Sequence, residues 1–561
     1  MIEYRRWRRC MRNTDLDKYD RYLLILVISF IAFQVLKNAF LPLHVDEANW
    51  WMQTRYLQAG YFFHPPFIVY EQFVVTRLFG ANRESLRLGS LLFSSGTIVL
   101  IYAFSTKLFK EKRLAFFASL LISVLPLTSY FSALAFQEAP FYFFTIASVF
   151  LLWMAITVNR NYWYLAGIST GLMLLCKLQA VLILPCLALF LLTSKANRKW
   201  FRRKEPYIAF LIAGAMFTPT ILWYFRHHLE PITFQLENRP GFLNNGLLAY
   251  LGEVIKHIFL QGFTLTPFVF LLSVFGLIYG FYIGFVRKDE RFKYLFCMSA
   301  PIILLFSLTT GPAYWSYTGY MIAMIAAINL VPFLIAQRKG RRIERFWPVA
   351  FLGLCVSVAA IFSLLFNTFA AIGYTTQTGW SQLSAKVEQV QREQNGWNPY
   401  FASPYYFISS EVAYYTGNDF PGYTVLFQVY SNAVIQDNPT YSPWVNPKKL
   451  IGKDVIFVDE KMNPDGYDTP LSYWTAKLKP YFQRVESPIV FVENEGFLKK
   501  ERTFYIFKCH GYKGPASPVY LKDDVKKLLK LPGNNATRSS KASDGTARPL
   551  RGELNLRIGA T

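Results

Sequence analysis

Charge is scarce in this chain, and negative charge scarcest. Asp, Glu, Lys and Arg make up 17% of its 561 residues, with 35 acidic against 59 basic side chains. An average soluble protein carries roughly 25% charged residues, and here the charges are clustered rather than dispersed, which argues against a soluble globular class. Cysteine pairs are lacking too. Cys10, Cys176, Cys186, Cys297, Cys355 and Cys509 are scattered, with no C-x-x-C and no metal-type Cys/His spacing. Only Cys509 falls in the segment read below as exterior, so no intramolecular disulfide is expected there. No Gly-rich nucleotide motif is present, and no inverted internal repeat of the secondary-transporter kind. The first apolar segment is followed by no small-residue cleavage site, so it reads as a retained helix and not as a signal peptide.

What is present is apolar. Hydrophobic residues make up 53% and aromatics 18%, and stretches long enough to cross a bilayer recur through the first two thirds of the chain. About eleven are expected, near 22–43, 87–106, 114–134, 139–157, 162–176, 178–194, 206–225, 257–285, 294–310, 317–336 and 347–371. If they alternate, RRWRRCMR (5–12), KLFKEKR (107–113), KANRKWFRRK (195–204), RKDERFK (287–293) and QRKGRRIER (338–345 with Gln337) share one side. With the other residues before the first span and the link at 158–161, that side holds about 27 basic residues, against about eight on the opposite short loops. The N-terminus is therefore expected in the cytoplasm, and the loop after the first span and everything after residue 372 outside it. The net charge of +24 then needs no nucleic acid, because cytoplasmic loops facing anionic headgroups account for most of it.

After Ile372 the texture changes. Residues 373–520 are polar, with β-rich runs DVIFV (454–458), PIVFV (488–492) and TFYIFK (503–508) and a helical stretch around 407–416. This reads as a small α/β domain outside the membrane, following a transmembrane domain over 1–372. Residues 521–561 are rich in Lys, Ser, Gly and Ala without periodicity and read as a disordered basic tail.

The exterior loop 44–85 is too long for a turn. Residues 46–59 mix Trp50, Trp51 and Leu57 with Gln53, Arg55 and Gln58, as an amphipathic interfacial helix would. Gly60 ends it, and His64-Pro65-Pro66 forces an extended turn before a second such helix over 67–79. Together they would roof a cavity beside the bilayer.

Few residues in the chain suit chemistry. Asp46 and Glu47 sit just past the first span, where two adjacent carboxylates are costly to keep near hydrocarbon. An aspartate there can act as general base on a hydroxyl. It can equally cap the interfacial helix, with Glu47 favourable at the positive end. Glu138, in LAFQEAPF, lies in an outward link and could face the same cavity, or be an exposed glutamate at a helix start. Lys177 stands alone within about 30 uncharged residues, at the outer turn of a short hairpin. An isolated cation at that depth calls for an anionic partner, from the protein or from a lipid-carrier phosphate; otherwise it snorkels to the interface. His64, held by two prolines, can bind substrate or metal, or simply pack the turn. Arg226, His227, His228 and Arg239 can meet phosphate or sugar carboxylate, or be solvated. Trp315 and Tyr317 can stack on a sugar, or form an interfacial belt.

In order along the chain, Asp46-Glu47, GYFFHPPF, LFG, Arg87-Leu88, QEAPF and YWYLAGISTGLMLLCKLQAVLILP resemble the bacterial glycosyltransferases related to protein O-mannosyltransferases and to the aminoarabinose transferases of lipid A, of the C-type superfamily (family 39-like). The resemblance continues through WYFRHHLEPITFQLENRPGF (223–242), YWSYTGY (314–320) and NPTYSPWVNPKKLIGKDVIFV (438–458). It implies an α-helical multi-spanning membrane fold with an extracytoplasmic active site, a polyprenyl-phosphate-linked sugar donor, and inversion at the anomeric carbon. By position, Asp46 matches the family's catalytic aspartate and Glu47 its acidic partner. Glu138 stands where many members have Asp before Ala-Pro, and Lys177 matches the lysine closing the Gly-rich span. One departure counts: many relatives read Asp-His-Pro-Pro where this chain reads Phe63-His64-Pro65-Pro66, which removes a carboxylate that could touch metal or sugar while leaving Asp46.

The reaction so implied is a single displacement. Asp46 takes the proton of the acceptor hydroxyl, Lys177 stabilises the leaving phosphate, Arg55 or Arg239 assist, and His64 and Glu138 contribute to substrate binding, with Asp46 and Lys177 lining one pocket. No cofactor is required, and there is room for a divalent cation. The protein is expected to be multi-pass in the inner (plasma) membrane, with a cell-envelope acceptor that is lipid A or lipopolysaccharide core sugar, or else another lipid-linked glycan. The alternatives are a Ser/Thr hydroxyl of a protein and, from a different class, a transporter or flippase of lipid-linked sugars.

Overall fold

The computed structural model describes residues 16–229, 232–233, 246–309, 311–330, 350, 353–365, 379–417, 451–461, 471–493 and 501–514. The chain divides into two compact units, one made of Met1–Leu43 and Leu57–Tyr374, the other of His44–Tyr56 and Thr375–Thr561. In chain order the described helices begin with α1 (Leu16–Phe40), α2 (Val45–Gln53), α3 (Phe67–Phe79), α4 (Arg83–Phe109), α5 (Lys112–Ser123), α6 (Pro126–Ala133), α7 (Glu138–Thr157) and α8 (Tyr162–Cys176). A 3-10 turn (Leu178–Leu182) leads into α9 (Ile183–Thr193), then α10 (Lys204–Arg226), α11 (Gly246–Leu265), α12 (Pro267–Phe281), α13 (Glu290–Leu308), α14 (Tyr317–Ile328) and α15 (Gly353–Leu365).

The first unit is a multi-pass membrane domain. Among the described residues six helices are long and apolar enough to cross a bilayer: α1, α4, α7, α10, α12 with its extension to Val286, and α13. The pair α5 and α6, bent by 63°, makes a seventh if counted as one span. Large apolar side chains such as Leu24, Leu211 and Phe275 are exposed on these helices, as hydrocarbon contact requires. Several expected spans take a different form. The bend near 124–125 arises where Pro126 opens α6, since proline suits the first turn of a helix and has no N–H to bond back into a preceding one. The single span expected over 257–285 is corrected to two helices, α11 and α12, broken at Thr266, whose φ of 75° leaves the helical region just before Pro267. The segments at 162–176 and 178–194 are helical but short, with 15 residues in α8 and 11 in α9.

Small residues set the packing that matters for the site. Gly167 and Gly171, four apart on α8, lie against α10: a Cβ on Gly167 would come 2.6 Å from the Ala209 carbonyl oxygen, and one on Gly171 2.6 Å from the Met216 sulfur. This is the small-xxx-small approach that lets two membrane helices touch through their backbones. Helices α7 and α8 are antiparallel neighbours, joined at 158–161 and bonded across by the Ser148 hydroxyl donating to Ser169 at 2.9 Å. The first residue of α7 and the residue that follows α8 therefore come to the same end of the hairpin.

Arg87 anchors the C-terminal end of α1. It is 1% exposed, and its guanidinium donates to the carbonyls of Asn38 (3.4 Å), Leu41 (3.1 Å) and Pro42 (2.6 Å). Arg83 reaches the Leu41 carbonyl as well, at 3.1 Å. The last carbonyls of a helix have no partner within it, so these arginines act as its cap. Arg87→Ala should destabilise the membrane unit by about 3 kcal/mol, read as a lower unfolding temperature in detergent, and Arg87→Lys should recover only part of the loss.

The second unit is α/β. Its elements are α2, α16 (Trp380–Arg392), β1 (Tyr400–Ala402), α17 (Tyr406–Tyr415), β2 (Val455–Glu460), α18 (Leu471–Leu478), β3 (Phe482–Val485), β4 (Ile489–Glu493) and β5 (Arg502–Tyr512). The sheet runs β1-β2-β5-β3, with β1 parallel to β2 and the other pairs antiparallel. The eleven-residue β5 is long enough to carry β3 and β4 in succession along one edge, β3 at His510 and Cys509, β4 from Ile506 to Arg502. Pro488, which has no N–H to donate to a ladder, lies between them. The strand runs expected at 454–458, 488–492 and 503–508 and the helix near 407–416 all appear. The DVIFV strand is buried on both faces, which explains its unbroken apolar texture.

Helix α2 belongs to this second unit: the Trp51 ring meets Tyr414 of α17 edge-on at 5.2 Å. The expected amphipathic interfacial helix over 46–59 is corrected on two counts. It ends at Gln53, and every residue from Glu47 to Gln53 is buried, because both of its aromatic and amide-bearing faces are packed. Gly60 is not its stop either; that glycine makes room for the Trp223 ring, which a Cβ would approach to 2.9 Å. The second helix of the loop, expected over 67–79, is α3. The expected tail 521–561, the basic loop 337–345 and the run 438–450 lie outside the described residues.

Candidate active site

Two groups of the expected residues are described, each inside its own unit. In the second unit, the first turn of α2 presents Asp46 and Glu47. The N-cap is His44, not Asp46: its Nδ1 accepts the Asp46 N–H at 3.1 Å, while Glu47 Oε2 accepts the His44 N–H at 2.9 Å. This is a capping box with an imidazole in the place usually held by Ser or Thr. It uses Glu47 for folding and leaves the Asp46 side chain outside the cap. The Asp46 carboxylate instead accepts the Tyr406 hydroxyl of α17 at Oδ1, at 2.9 Å.

Glu411, five residues beyond Tyr406 on α17, is fully buried, and neither of its carboxylate oxygens has a hydrogen-bond partner among the described residues. Burial, then the Glu47 carboxylate, hold its carboxyl well above the usual carboxylate range, with Asp46 adding to the rise and Arg502 opposing it. Arg502 is itself engaged, bidentate on Glu460 at 2.8 Å for both contacts and 4.1 Å above the Trp380 ring. A buried acid held protonated stabilises the fold below its ordinary value, and this stability is lost as pH rises through the raised one. Glu411→Gln mimics the protonated acid. The variant's advantage in unfolding temperature over the parent should therefore grow from about pH 5 to about pH 8, and a constant difference would contradict this reading.

Arg55 packs its guanidinium 4.5 Å over the Trp51 ring.

In the first unit, Glu138 is the first residue of α7 and Lys177 the residue that follows α8. The α7–α8 hairpin brings them together: Lys177 Nζ donates to Glu138 Oε1 at 2.8 Å, with both side chains at or below 6% exposure. Glu138 is thus buried and paired, not an exposed loop glutamate. A carboxylate at a helix N-terminus and an ammonium at a C-terminus also suit the two helix dipoles. The Lys177 ammonium lies over the rings of Tyr314 (5.3 Å) and Trp315 (5.8 Å). Tyr317 is not free for stacking, because it is 1% exposed and its hydroxyl shares a hydrogen bond with that of Thr128 at 2.5 Å.

His64 meets Gln137, the neighbour of Glu138, through Nε2 at 3.1 Å. Burial, then the nearby Lys177 charge, push its imidazole down to about 3, so it is neutral at physiological pH. Glu71 of α3 has both carboxylate oxygens buried without hydrogen-bond partners among the described residues, and burial raises it to about 8. Around the ion pair, Gln137 Oε1, Glu138 Oε2 and the Tyr142 hydroxyl are buried and have no hydrogen-bond partner among the described residues. Three polar atoms left open in an apolar interior are costly unless something else completes them. Nearby, a cavity of about 20 Å³ is lined by Phe141, Thr145, Met173, Gln179, Met298 and Thr318. It has room for a water molecule, not for an isoprenoid chain.

Among the described residues no three His, Cys, Asp or Glu side chains come together to hold a metal ion. His227 stacks on Trp223 with ring centroids 3.8 Å apart. Arg239 lies outside the described residues. Sequence reasoning did not single out Tyr406, Glu411, Gln137, Tyr142 or Tyr314. Only Gln137 carried a local signal, as the residue before Glu138.

Comparison with known proteins agrees with this architecture. A family model described as dolichyl-phosphate-mannose-protein mannosyltransferase matches residues 63–223. A lipid A galacturonosyltransferase, RgtD of Rhizobium johnstonii, is 28% identical over 340 residues, covering 57% of this chain and 67% of that protein. Over these stretches the chain is similar to membrane glycosyltransferases of the protein O-mannosyltransferase and lipid A kinds. Its fold is that of ArnT from Cupriavidus metallidurans. The apo structure of ArnT superposes with a TM-score of 0.55 at 14% identity, over 87% of this chain and 98% of that one. The structure of ArnT bound to undecaprenyl phosphate gives 0.55 at 15% identity, over 86% and 98%.

Proposed function

We propose that this glycosyltransferase moves a sugar from a polyprenyl-phosphate donor to a hydroxyl of a cell-envelope glycolipid, with inversion, on the extracytoplasmic face of the inner membrane. The N-terminus is cytoplasmic, residues 1–372 form the membrane domain and residues 373–520 the extracytoplasmic one. One observation carries the reading: a carboxylate, Asp46, freed from helix capping by His44 and held at a single oxygen by Tyr406. That is what a general base needs.

In the step proposed, the acceptor oxygen attacks the anomeric carbon, its proton passes to Asp46, and the bond from that carbon to the phosphate oxygen breaks. The polyprenyl phosphate leaves with the bonding pair. Lys177 stabilises its charge: an ammonium has three N–H donors, and Glu138 takes one of them. Arg55 or Arg239 assists. The open atoms of Gln137, Glu138 and Tyr142 suit hydroxyls of the donor sugar, and His64, neutral, is a hydrogen-bonding group there and not a charge. Fold likeness to a protein solved with undecaprenyl phosphate and sequence likeness to a lipid A glycosyltransferase support donor and acceptor class.

The family model named for protein mannosylation supports a second acceptor, a Ser/Thr hydroxyl of a protein. Protein reconstituted in liposomes with radiolabelled polyprenyl-phosphate sugar and envelope extract separates these readings. Label in the lipid A fraction is expected, and label in protein favours the second acceptor. Label that only changes leaflet, with Asp46→Asn as active as the parent, would overturn transfer in favour of transport.

A further inference from the structure

We infer that Tyr406, on the extracytoplasmic helix α17, is a positioning residue for Asp46 and selects which carboxylate oxygen receives the acceptor's proton. The inference rests on Asp46 being the general base. Its basis is an asymmetry of the two oxygens. Oδ1 accepts the Tyr406 hydroxyl at 2.9 Å. Oδ2 lies 3.6 Å from His44 Nδ1, which looks like an ion pair but is not one. That nitrogen already accepts the Asp46 N–H, so it carries no proton, and the two atoms meet lone pair to lone pair. Among the described residues nothing donates to Oδ2, and the Asp46 side chain keeps 19% exposure. The carboxylate thus has a held side and an open side, and the open oxygen is the one able to take a proton from an incoming hydroxyl.

The tyrosine is fixed in turn. Its ring meets Phe407 edge-on at 5.7 Å, and Phe407 packs against Trp380 at 6.1 Å. The Trp51–Tyr414 contact holds α17 to α2 a second time, two turns along. Glu411 adds to the case: it shares the helix, faces Glu47 and Asp46, and has no hydrogen-bond partner of its own among the described residues. In its protonated form it brings no further negative charge to the base. A carboxylate without the phenol contact can rotate about its last side-chain bond, and misplacement of a reacting group by about 1 Å costs up to about a hundredfold in rate.

The test is steady-state kinetics of the full-length reconstituted protein, comparing Tyr406→Phe, Asp46→Asn and the double variant. Tyr406→Phe removes one oxygen and keeps the ring contacts. It should lower kcat by about ten- to a hundredfold with KM for donor and acceptor within about twofold, at an unchanged unfolding temperature. In the Asp46→Asn background the same substitution should cost nothing further. Full activity of Tyr406→Phe would overturn the inference, and so would a loss of the same size in the Asp46→Asn background. A fully active Asp46→Asn variant would instead overturn the general-base reading itself, so the two failures are distinguishable.

Discussion

Asp46→Asn should reduce the rate of sugar transfer by about two to four orders of magnitude, the usual contribution of a positioned general base, while the protein stays folded. The fold should tolerate it because the N-terminus of α2 is capped by His44 and Glu47 through their own atoms, and none of these bonds uses the Asp46 side chain. The amide retains the shape and the oxygen that accepts from Tyr406. It loses the capacity to take a proton. Donor binding should be little changed, since the loss falls on a step made only in the transition state. A drop in kcat with an equal rise in donor KM would point to substrate binding instead.

Lys177→Met should cost more than activity. The side chain sits in a nearly dry setting with Glu138 at 2.8 Å, and removing one member of a buried pair leaves an uncompensated charge, typically a loss of about 3–5 kcal/mol. The unfolding temperature should therefore fall together with transfer. The double variant Lys177→Met with Glu138→Gln removes both charges and should regain most of the stability. It should not regain transfer, which would stay down by about two to three orders of magnitude because the leaving phosphate still lacks its cation. If the double variant transferred sugar at the parental rate, Lys177 would be a structural partner for Glu138 and nothing more.

The fold was more legible in the sequence than the site. Apolar length picked out α1, α4, α7, α10 and α13, each long enough to cross a bilayer, and an unbroken DVIFV run picked out a strand buried on both faces. Composition could not locate the break between α11 and α12, because Thr266 and Pro267 stand inside a continuous apolar stretch and only the backbone at Thr266 reveals the split. The solitary Lys177 correctly implied an anionic partner. Choosing Glu138 required knowing that α7 and α8 lie side by side, which the short link at 158–161 hints at but does not specify, while the glycines of α8 face α10. Of the two roles open to Asp46, the cap falls to His44 instead, for a chemical reason: Asp is a favoured N-cap and His is not, yet the imidazole nitrogen of His44 accepts as an oxygen would. Tyr406 was out of reach. A helix near 407–416 was visible in the sequence, but a hydrogen bond between residues 360 apart depends on how α17 docks on α2, and no local pattern encodes that.

The most direct test of the central claim is the anomeric configuration of the transferred sugar, read by NMR from product made with a donor of known configuration. A single displacement with Asp46 as base predicts inversion. Retention would require a carboxylate to attack the sugar first and form a covalent intermediate, and it would contradict general-base action by Asp46.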